Sequence, residues 1–533
     1  MNDVPIDVKI QGVRAWANGN LEHFLKDYDE ETSNYLRRVS TPGNAFVTNR
    51  TIAVVADKDG ITKQNDIMQN SWLEHKEWIS NGPHKLPKSA VESIKNTTND
   101  IKNIILNSNK KKLYGLVVGH VQSGKTANYT ALLSRIADID YTIVIVLSGI
   151  LNDLRHQTQH RLLRDLTGDR YNPPWLNEDE EAIDHSKTQK WTWITSLHDD
   201  IGKNVSNRMA GLLESSLDKK EILIGVVKKN VNVLEHLLDG IMSADPEILS
   251  KHKLLIIDDE ADYATVNTGG DLSVGFEDDI FDFEEVDEVD SETDPSRTNR
   301  AVRKIIHKFI KSTYIGYTAT PFANVLIDKD QEDNKYGKSL YPRDFILSLP
   351  TPKNYFGPST FFGKKEGDER YVTTIHPEEV TAAFKMQEDE KTSRNEAVPK
   401  SLQNAMMDYL LSGIVKKIRK QNGITINKHH TMLIHIQWRN DNQKIAANLV
   451  NNLWDDWMEL ASITFSGGEK FRKRLKDRWE NEFKIWDTSL ETWSQIEEEL
   501  LIDSDDDSWM SGVEIKMINS LTDDKLDYAL HKE

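Results

Sequence analysis

Eight consecutive residues combine two glycines, a lysine and a threonine in the spacing of a phosphate-binding loop. They are Gly119, His120, Val121, Gln122, Ser123, Gly124, Lys125 and Thr126. An apolar run, Leu113–Val118, precedes them and a helix-compatible segment follows, so the context is strand, loop and helix. Glycines let backbone N–H groups point at phosphates, and the helix N-terminus favours negative charge. Lys125 is predicted to reach the β- and γ-phosphates of a nucleotide, and the Thr126 hydroxyl to contact Mg²⁺.

A second group of carboxylates follows an apolar run further along the chain. Leu254–Ile257 has the composition of a buried strand, and Asp258, Asp259, Glu260 and Asp262 come after it. Carboxylates at the end of such a strand lie at the sheet edge that also holds the phosphate-binding loop. One of them can hold Mg²⁺ while its neighbour polarises the attacking water. Whether Asp258 or Asp259 is the metal ligand stays open, and helix capping is the structural alternative.

A third motif, Gly-Tyr-Thr-Ala-Thr-Pro-Phe at 316–322, follows another apolar run. With these three motifs in this order, the chain resembles the superfamily 2 helicases and translocases. The resemblance implies that Asp259 binds the metal and that Glu260 is the base for water. It also implies that Asp262, Thr318 and Thr320 couple the nucleotide state to domain movement. A strand-ending turn is the structural alternative for this motif.

A closer resemblance is to proteins that carry the Z-one domain, which are bacterial superfamily 2 ATPases encoded near restriction and phage-defence genes. They are often labelled endonucleases. The three motifs and Leu154–Arg161 carry this resemblance over about residues 110–363, and Met432–Ile436 and Val513–Ser520 are similar to the opening of the Z-one domain. It implies ATP and Mg²⁺ as ligands, DNA as a partner, and companion subunits such as a methyltransferase, a nuclease or another ATPase.

Helicases of this class complete their site with a second RecA-like lobe, which carries a Gln…Gly-Arg motif and supplies an arginine finger. The sequence has no such motif before Glu533. We therefore expect a chain that lacks its C-terminal part. Because an arginine finger is worth about 10³–10⁵ in rate, this chain alone is expected to bind ATP–Mg²⁺ but to hydrolyse it poorly.

Polar and basic residues after the second predicted strand are candidates for contact with nucleic acid. Superfamily 2 proteins touch the phosphate backbone at this position, and Arg155, Gln157 and Arg161 are suited to bind phosphates without reading sequence. The alternative is a polar helix face on the surface. A second basic stretch, Lys470–Arg478, has apolar residues at helical spacing and is interpreted as an amphipathic helix with a solvated face.

Length and composition limit the class of protein. A chain of 533 residues predicts two to four domains, and the absence of cysteine excludes disulfides and cysteine metal sites. We expect a cytoplasmic protein without a membrane span, since the sequence has neither a run of about 18 apolar residues nor a signal-peptide layout. The formal net charge of −19 argues against unspecific adhesion to nucleic acid.

Alternating short apolar runs and helical stretches predict an α/β fold, a RecA-like P-loop domain with a parallel sheet. The predicted strands are Leu113–Val118, Thr142–Leu147, Ile222–Val227, Leu254–Ile257 and Tyr314–Tyr317. A helical region (1–108) precedes the RecA-like domain (109–385), whose acidic insertion at about 272–296 is expected to be mobile. Residues 400–533 are predicted to begin a Z-one domain or second lobe, helical, tryptophan-rich and incomplete, with strand-like runs at Met432–Gln437 and Val513–Ile518.

The favoured hypothesis is therefore an ATP-dependent motor subunit that acts on DNA in a restriction or phage-defence system. Its nucleotide site would lie in residues 119–126, 259–260 and 318–320. Two alternatives stay open. One is a P-loop regulatory switch that binds ATP to recruit partners without translocating, which the acidic net charge and the missing arginine finger favour modestly. The other is an endonuclease subunit on a helicase-like scaffold, for which we identify no nuclease residues.

Overall fold

The computed structural model describes most of the chain from residue 70 onward and short segments before it. The described residues are 23, 25–28, 32–33, 52–54, 70–83, 85–121, 123–167, 191–266, 295–327, 329, 332–333, 336–352, 355–362, 371–379, 398–424, 429–436, 440–483, 491–501 and 508–518. The chain forms two compact units, residues 1–360 and 361–533. Within the described ranges, every helix is too short or too polar to span a lipid bilayer.

An eight-stranded sheet organises the first unit. The strands of this unit are β1 (Ile52–Val54), β2 (Lys112–Val118), β3 (Ile143–Ser148), β4 (Trp191–Trp193), β5 (Ile222–Lys228), β6 (Lys253–Asp259), β7 (Lys311–Thr318), β8 (Glu332–Asp333), β9 (Gly337–Lys338) and β10 (Phe345–Ser348). The order across the sheet is β1-β10-β2-β7-β6-β3-β5-β4, while β8 and β9 pair separately. All neighbours in the large sheet are parallel except β1 and β10.

Helices cover both faces of this sheet. They are α1 (Asn70–Asn81), α2 (Lys88–Asn107), α3 (Lys125–Ile136), α4 (Asn152–Thr167), α5 (Lys203–Lys219), α6 (Val231–Met242), α7 (Pro246–Lys251), α8 (Pro295–Lys308) and α9 (Phe322–Val325). One hydrophobic core joins α2, α3 and α4 to the sheet, and a second joins α5 to α8 to its other face. The central strands are buried on both faces, which explains why they are continuous apolar runs in the sequence. The parallel sheet with helices on both faces confirms the predicted RecA-like α/β fold.

All five strands predicted for this unit are present, but five others within the described residues were missed, of which β8 and β9 have two residues each. β1, β4 and β10 are only three or four residues long. Runs this short carry too little periodicity to separate them from loops. As a result, the N-terminal region expected to be helical also contributes an edge strand, and the segment between the second and third predicted strands contributes β4. Of the predicted acidic insertion (about 272–296), residues up to 294 lie outside the described residues, so their mobility stays a prediction, while Pro295 and Ser296 begin α8.

The second unit is helical within its described ranges. Its helices are α11 (Lys400–Gln421), α12 (Asn440–Ser462), α13 (Gly467–Arg478) and α14 (Trp493–Leu500), while a short helix, α10 (Pro358–Phe361), lies at the boundary between the units. A π-helical turn, Trp479–Phe483, continues α13. Trp454, Trp457 and Trp479 are buried in one core with residues of α11, so these tryptophans anchor the helical core of the unit.

The strand-like runs predicted in this unit are not strands. Met432, Ile434 and Ile436 pack against the helical core, and so do Val513 and Ile515. Packing of every second side chain reproduces the period-two pattern of a strand. A strand also needs a hydrogen-bonded partner, and the described residues of Met432–Ile436 and Val513–Ile518 form no ladder.

Candidate functional site

The P-loop, residues 119–126, connects β2 to α3 at the carboxyl edge of the sheet. Gly124 has a φ of 90°, a left-handed conformation that a residue without a Cβ adopts without strain. At Gly119, a Cβ would lie 2.7 Å from Ser123 Oγ, so only glycine fits against the loop. The Gly119 N–H donates to the Thr318 carbonyl at 3.0 Å, which ties the loop to the end of β7.

Lys125 is folded back onto its own loop. Its Nζ donates to the carbonyls of Gly119 at 3.2 Å and His120 at 3.1 Å. Burial lowers the pKa of Lys125, and the negative charges of Asp259, Asp262 and Glu260 oppose that shift. The charges of the second motif therefore act on this lysine, as expected if both motifs lie at the same edge of the sheet.

Three features of the loop fit a bound phosphate and metal. Ser123 Oγ is buried and has no hydrogen-bond partner among the described residues, so it is free to contact an anion. At Gly124, no atom of the described residues lies within 4 Å of the position that a Cβ would take, so the loop is open there. The Thr126 hydroxyl and the nearby carboxylates are hard oxygen ligands, which Mg²⁺ prefers. Gln122 lies outside the described residues.

Tyr355 packs against the P-loop and was not predicted. Its hydroxyl donates to the Val121 carbonyl at 2.6 Å, and its ring stacks on His120 with centroids 5.3 Å apart. The segment follows β10, which neighbours β2 in the sheet. Nothing in the sequence indicated this residue, because a contact made across 234 residues leaves no local signal.

The two adjacent aspartates at the end of β6 point to opposite faces of the sheet. Asp258 is fully buried, pairs with Lys229 Nζ at 2.8 Å and accepts a hydrogen bond from the Tyr314 hydroxyl at 2.6 Å. Asp259 instead faces α3, where it accepts a hydrogen bond from the Tyr129 hydroxyl at 3.0 Å. Because Tyr129 lies one helical turn after Lys125, Asp259 is the aspartate on the P-loop side.

Burial raises the pKa of Asp259 above its ordinary value. The hydrogen bond from Tyr129 and the charge of Lys229 act in the opposite direction and keep it from rising further. A largely buried carboxylate is a site where a divalent cation would relieve the desolvation cost. The Tyr129 hydroxyl is a contact that sequence reasoning missed, although its spacing of four residues from Lys125 could have indicated it.

The third motif is bonded directly to the second. The Thr318 hydroxyl donates to one carboxylate oxygen of Asp262 at 2.6 Å, and the Thr320 hydroxyl donates to the other. The Thr320 N–H in turn donates to the Thr318 hydroxyl at 2.9 Å. The structure thus brings together the three residues predicted to couple the site to movement. Their contact offers a physical route from the acidic motif to β7.

The segment that carries Glu260, called here the acidic turn (residues 259–264), has an unusual backbone. Glu260 and Ala264 have φ values of 52° and 64°. A left-handed conformation costs a residue other than glycine roughly 1–2 kcal/mol, so the surroundings must hold it. Lys229, which sequence reasoning missed, donates to the carbonyls of Asp259 and Glu260, each at 2.6 Å. The only sequence signal was its position two residues after the predicted strand Ile222–Val227.

The predicted nucleic-acid residues on α4 fall into two classes. Arg155 is only 3% exposed, and its guanidinium donates to the carbonyls of Ser196 and Leu197 at 2.8 and 2.6 Å. Its burial makes it a structural residue rather than a surface contact for phosphate. Gln157 and Arg161 are exposed on the same helix, so their contact with nucleic acid stays a prediction.

Residues 401–533 match the family model of the Z1 domain, so the resemblance predicted for this part of the chain is confirmed. No curated protein matches the chain. Among solved structures, it is similar to a nuclease-deletion mutant of the Type ISP restriction-modification enzyme LlaGI in complex with a DNA substrate mimic, with 12% identity over 79% of this chain. This chain covers 33% of that one, and the TM-score of 0.28 does not establish a shared fold.

Proposed function

We propose that this chain binds ATP and Mg²⁺ where β2, β6 and β7 end, and that it acts as a helicase- or translocase-like motor subunit on DNA. The observation that carries the proposal is the position of Thr318. Its carbonyl accepts a hydrogen bond from Gly119 of the P-loop, and its hydroxyl donates to Asp262 of the acidic turn. All three predicted motifs therefore meet at one sheet edge, where ligands of α/β proteins bind. The Z1 match supports a role in restriction or phage defence.

Each residue has a separate task in this proposal. Thr126 and Asp259 would hold Mg²⁺, which when bound neutralises charge on the phosphates. Lys125 exchanges its two carbonyl acceptors for phosphate oxygens, because a charge-assisted hydrogen bond to an anion is stronger. Glu260 accepts the proton of the attacking water. The two hydroxyls of the Thr-Ala-Thr motif transmit the state of the site to β7.

Substitution of the P-loop lysine tests nucleotide binding. Lys125→Ala is expected to weaken Mg²⁺-dependent binding of a fluorescent ATP analogue by about 10–100-fold, because it removes charged hydrogen bonds worth about 1.5–3 kcal/mol. The control is Lys111→Ala, at an exposed lysine just before the other end of β2, and it should bind like the wild type. Equal affinity of wild type and Lys125→Ala, or no binding by either, would reject the proposal.

Hydrolysis and DNA dependence separate the motor from its two alternatives. We expect slow ATP hydrolysis by this chain alone, measurable under single-turnover conditions, and expect DNA to stimulate it only when Lys125 is present. ATP binding without any stimulation by DNA would favour the regulatory switch. Metal-dependent nicking of plasmid DNA that survives Lys125→Ala would favour the endonuclease subunit.

A further inference from the structure

Lys229 is a fully buried lysine that directly follows β5 and belongs to none of the three motifs. Its Nζ donates to the carbonyls of Asp259 and Glu260 at 2.6 Å and of Tyr263 at 3.1 Å. A lysine ammonium has three donors. All three carbonyl acceptors lie in the acidic turn, so this one side chain spans most of the turn from the inside.

Asp258 holds the lysine from the opposite side. One carboxylate oxygen lies 2.8 Å from Lys229 Nζ, and the other accepts a hydrogen bond from the Tyr314 hydroxyl at 2.6 Å. Neither charged side chain is exposed to solvent. A buried ammonium or carboxylate is tolerated when it is paired and hydrogen-bonded. The two charges are paired, Lys229 donates three hydrogen bonds and Asp258 accepts one from Tyr314, while the Asp258 oxygen beside Nζ accepts no hydrogen bond from the described residues. The contacts therefore form a chain from Tyr314 on β7, through Asp258 and Lys229, to the acidic turn.

The carbonyls that Lys229 binds are those that orient Glu260. The Asp259 carbonyl belongs to the peptide group before Glu260, and the Glu260 carbonyl to the peptide group after it. Fixing both peptide planes fixes the φ of 52° at Glu260 and hence the direction in which its side chain leaves the backbone. The Ala261 N–H closes the turn by donating to the Tyr317 carbonyl at 3.0 Å.

We propose that Lys229, anchored by Asp258, is a positioning residue that holds Glu260 and Asp259 in place for ATP hydrolysis. This inference rests on the proposed function, because it assigns Lys229 a role in that same site. Lys229 is too buried to touch a nucleotide and acts through the backbone of the acidic turn. It should therefore affect the rate of hydrolysis and leave ATP affinity, which depends on the P-loop, unchanged.

The test uses the double variant Lys229→Met/Asp258→Asn in the full chain. Replacing Lys229 alone would leave a buried, unpaired carboxylate and endanger folding, whereas the double variant removes both charges and keeps an acceptor for Tyr314. We expect its Kd for ATP–Mg²⁺ to stay within about twofold of wild type and its single-turnover rate to fall at least about tenfold, since small displacements of catalytic groups cost up to about 100-fold. Lys228→Met, the same substitution at the neighbouring, partly exposed lysine, is the matched control.

Hydrogen exchange of the nucleotide-free protein supplies a second measurement that does not depend on activity. The Ala261 and Tyr263 amides, which donate to the Tyr317 and Glu260 carbonyls, should exchange at least about tenfold faster in the double variant, while amides in the centre of β3 should not. If the double variant does not fold, Tyr314→Phe carries the test with changes expected in the same direction, because it removes the hydrogen bond that anchors Asp258 and leaves the two buried charges paired.

The outcomes are distinct. Faster exchange in the acidic turn together with slower hydrolysis at constant Kd supports the inference. Unchanged exchange at both amides, or an unchanged hydrolysis rate, overturns it. Failure of the proposed function is recognised separately, because the wild-type protein would then show no Mg²⁺-dependent ATP binding. If the wild type binds no ATP but amide exchange in the acidic turn is still faster in the double variant, Lys229 only stabilises the turn. That result would overturn its role in positioning catalytic groups.

Discussion

Asp258 and Asp259 have the same side chain and adjacent positions but different physical surroundings. Side chains alternate between the faces of a strand, so Asp258 enters the core beside Lys229 while Asp259 faces α3 and the P-loop. Each is held by a tyrosine hydroxyl, from Tyr314 and Tyr129 respectively. This alternation settles which of the two lies on the side of the P-loop lysine, and it makes Asp259 the proposed metal ligand.

The pH dependence of stability should reveal the cost of burying Asp259. Burial raises its pKa above the ordinary value of 3.8, so the folded protein binds this proton more tightly than the unfolded chain does. The ionised carboxylate therefore lowers the free energy of unfolding above its folded pKa, and that cost disappears as the pH falls towards 3.8. Asp259→Asn should raise the Tm of the metal-free protein at neutral pH, by an amount that shrinks on acidification.

Thermal unfolding from pH 7.5 down to about pH 4 in the presence of a chelator measures this effect. The control is Asp218→Asn, at an exposed aspartate on α5, which should show no comparable trend. Added Mg²⁺ and ATP should then stabilise the wild type more than Asp259→Asn, because only the wild type keeps the proposed ligand. A Tm difference that is the same at every pH would contradict the assignment of a raised pKa.

At the scale of elements, Asn128 joins α2, α3 and β7 beneath the P-loop. It is buried, its amide donates to Thr97 Oγ1 at 2.7 Å, and its carbonyl oxygen accepts from the Tyr317 hydroxyl at 3.0 Å. The Tyr317 ring also packs edge-on against Tyr129, with centroids 5.4 Å apart. One polar side chain therefore connects the helix that begins at the P-loop with the strand that ends in the Thr-Ala-Thr motif.

Loss of this connection should destabilise the first unit. Asn128→Ala is expected to lower the free energy of unfolding by about 1–3 kcal/mol, because the Tyr317 hydroxyl is left buried without its acceptor. In a double-mutant cycle with Tyr317→Phe, we expect a coupling free energy of about 0.5–3 kcal/mol between the two residues. Tyr317→Phe should cost little in the Asn128→Ala background, because the hydrogen bond is already lost there. Denaturant unfolding measures all four proteins. Strictly additive effects would show that the hydrogen bond contributes nothing to the stability of the fold.

At the scale of the whole molecule, the net charge of −19 means that any DNA contact must be local. The exposed side chains of α4 are the predicted contact, and α4 packs in the core that also contains α2 and α3. The exposed Arg208 lies on α5, whose core residues belong to the opposite face of the sheet. Arg161 on α4 and Arg208 on α5 are both exposed, so they form a matched pair for testing which face of the sheet meets DNA.

Salt dependence of DNA binding distinguishes the two faces. If Arg161 contacts a phosphate, Arg161→Ala should weaken binding and reduce the slope of log K against log salt by about one, because one fewer counterion is released. Arg208→Ala should leave both the affinity and the slope near the wild-type values. Fluorescence anisotropy with a labelled duplex at several salt concentrations measures this. Equal effects of the two substitutions would mean that α4 is not a specific contact surface.

Local patterns in the sequence determined the elements and the motifs of the first unit. Continuous apolar runs identified five of its parallel strands, because strands buried on both faces need apolar residues at every position. The P-loop, the acidic motif and the Thr-Ala-Thr motif each follow one of these strands. Parallel strands end at a common edge, and this rule alone predicted that the motifs lie close together.

Contacts between residues distant in the sequence were decided only by the tertiary structure. The register of Asp258 and Asp259, the burial of Arg155 and the position of Lys229 beneath the acidic turn each depend on how strands and helices pack. A run such as Met432–Ile436 becomes a strand only if a partner pairs with it, and period-two spacing cannot specify a partner. Spacing along a chain encodes which way a side chain points from its own element, whereas its neighbours are set by the packing of all the elements together.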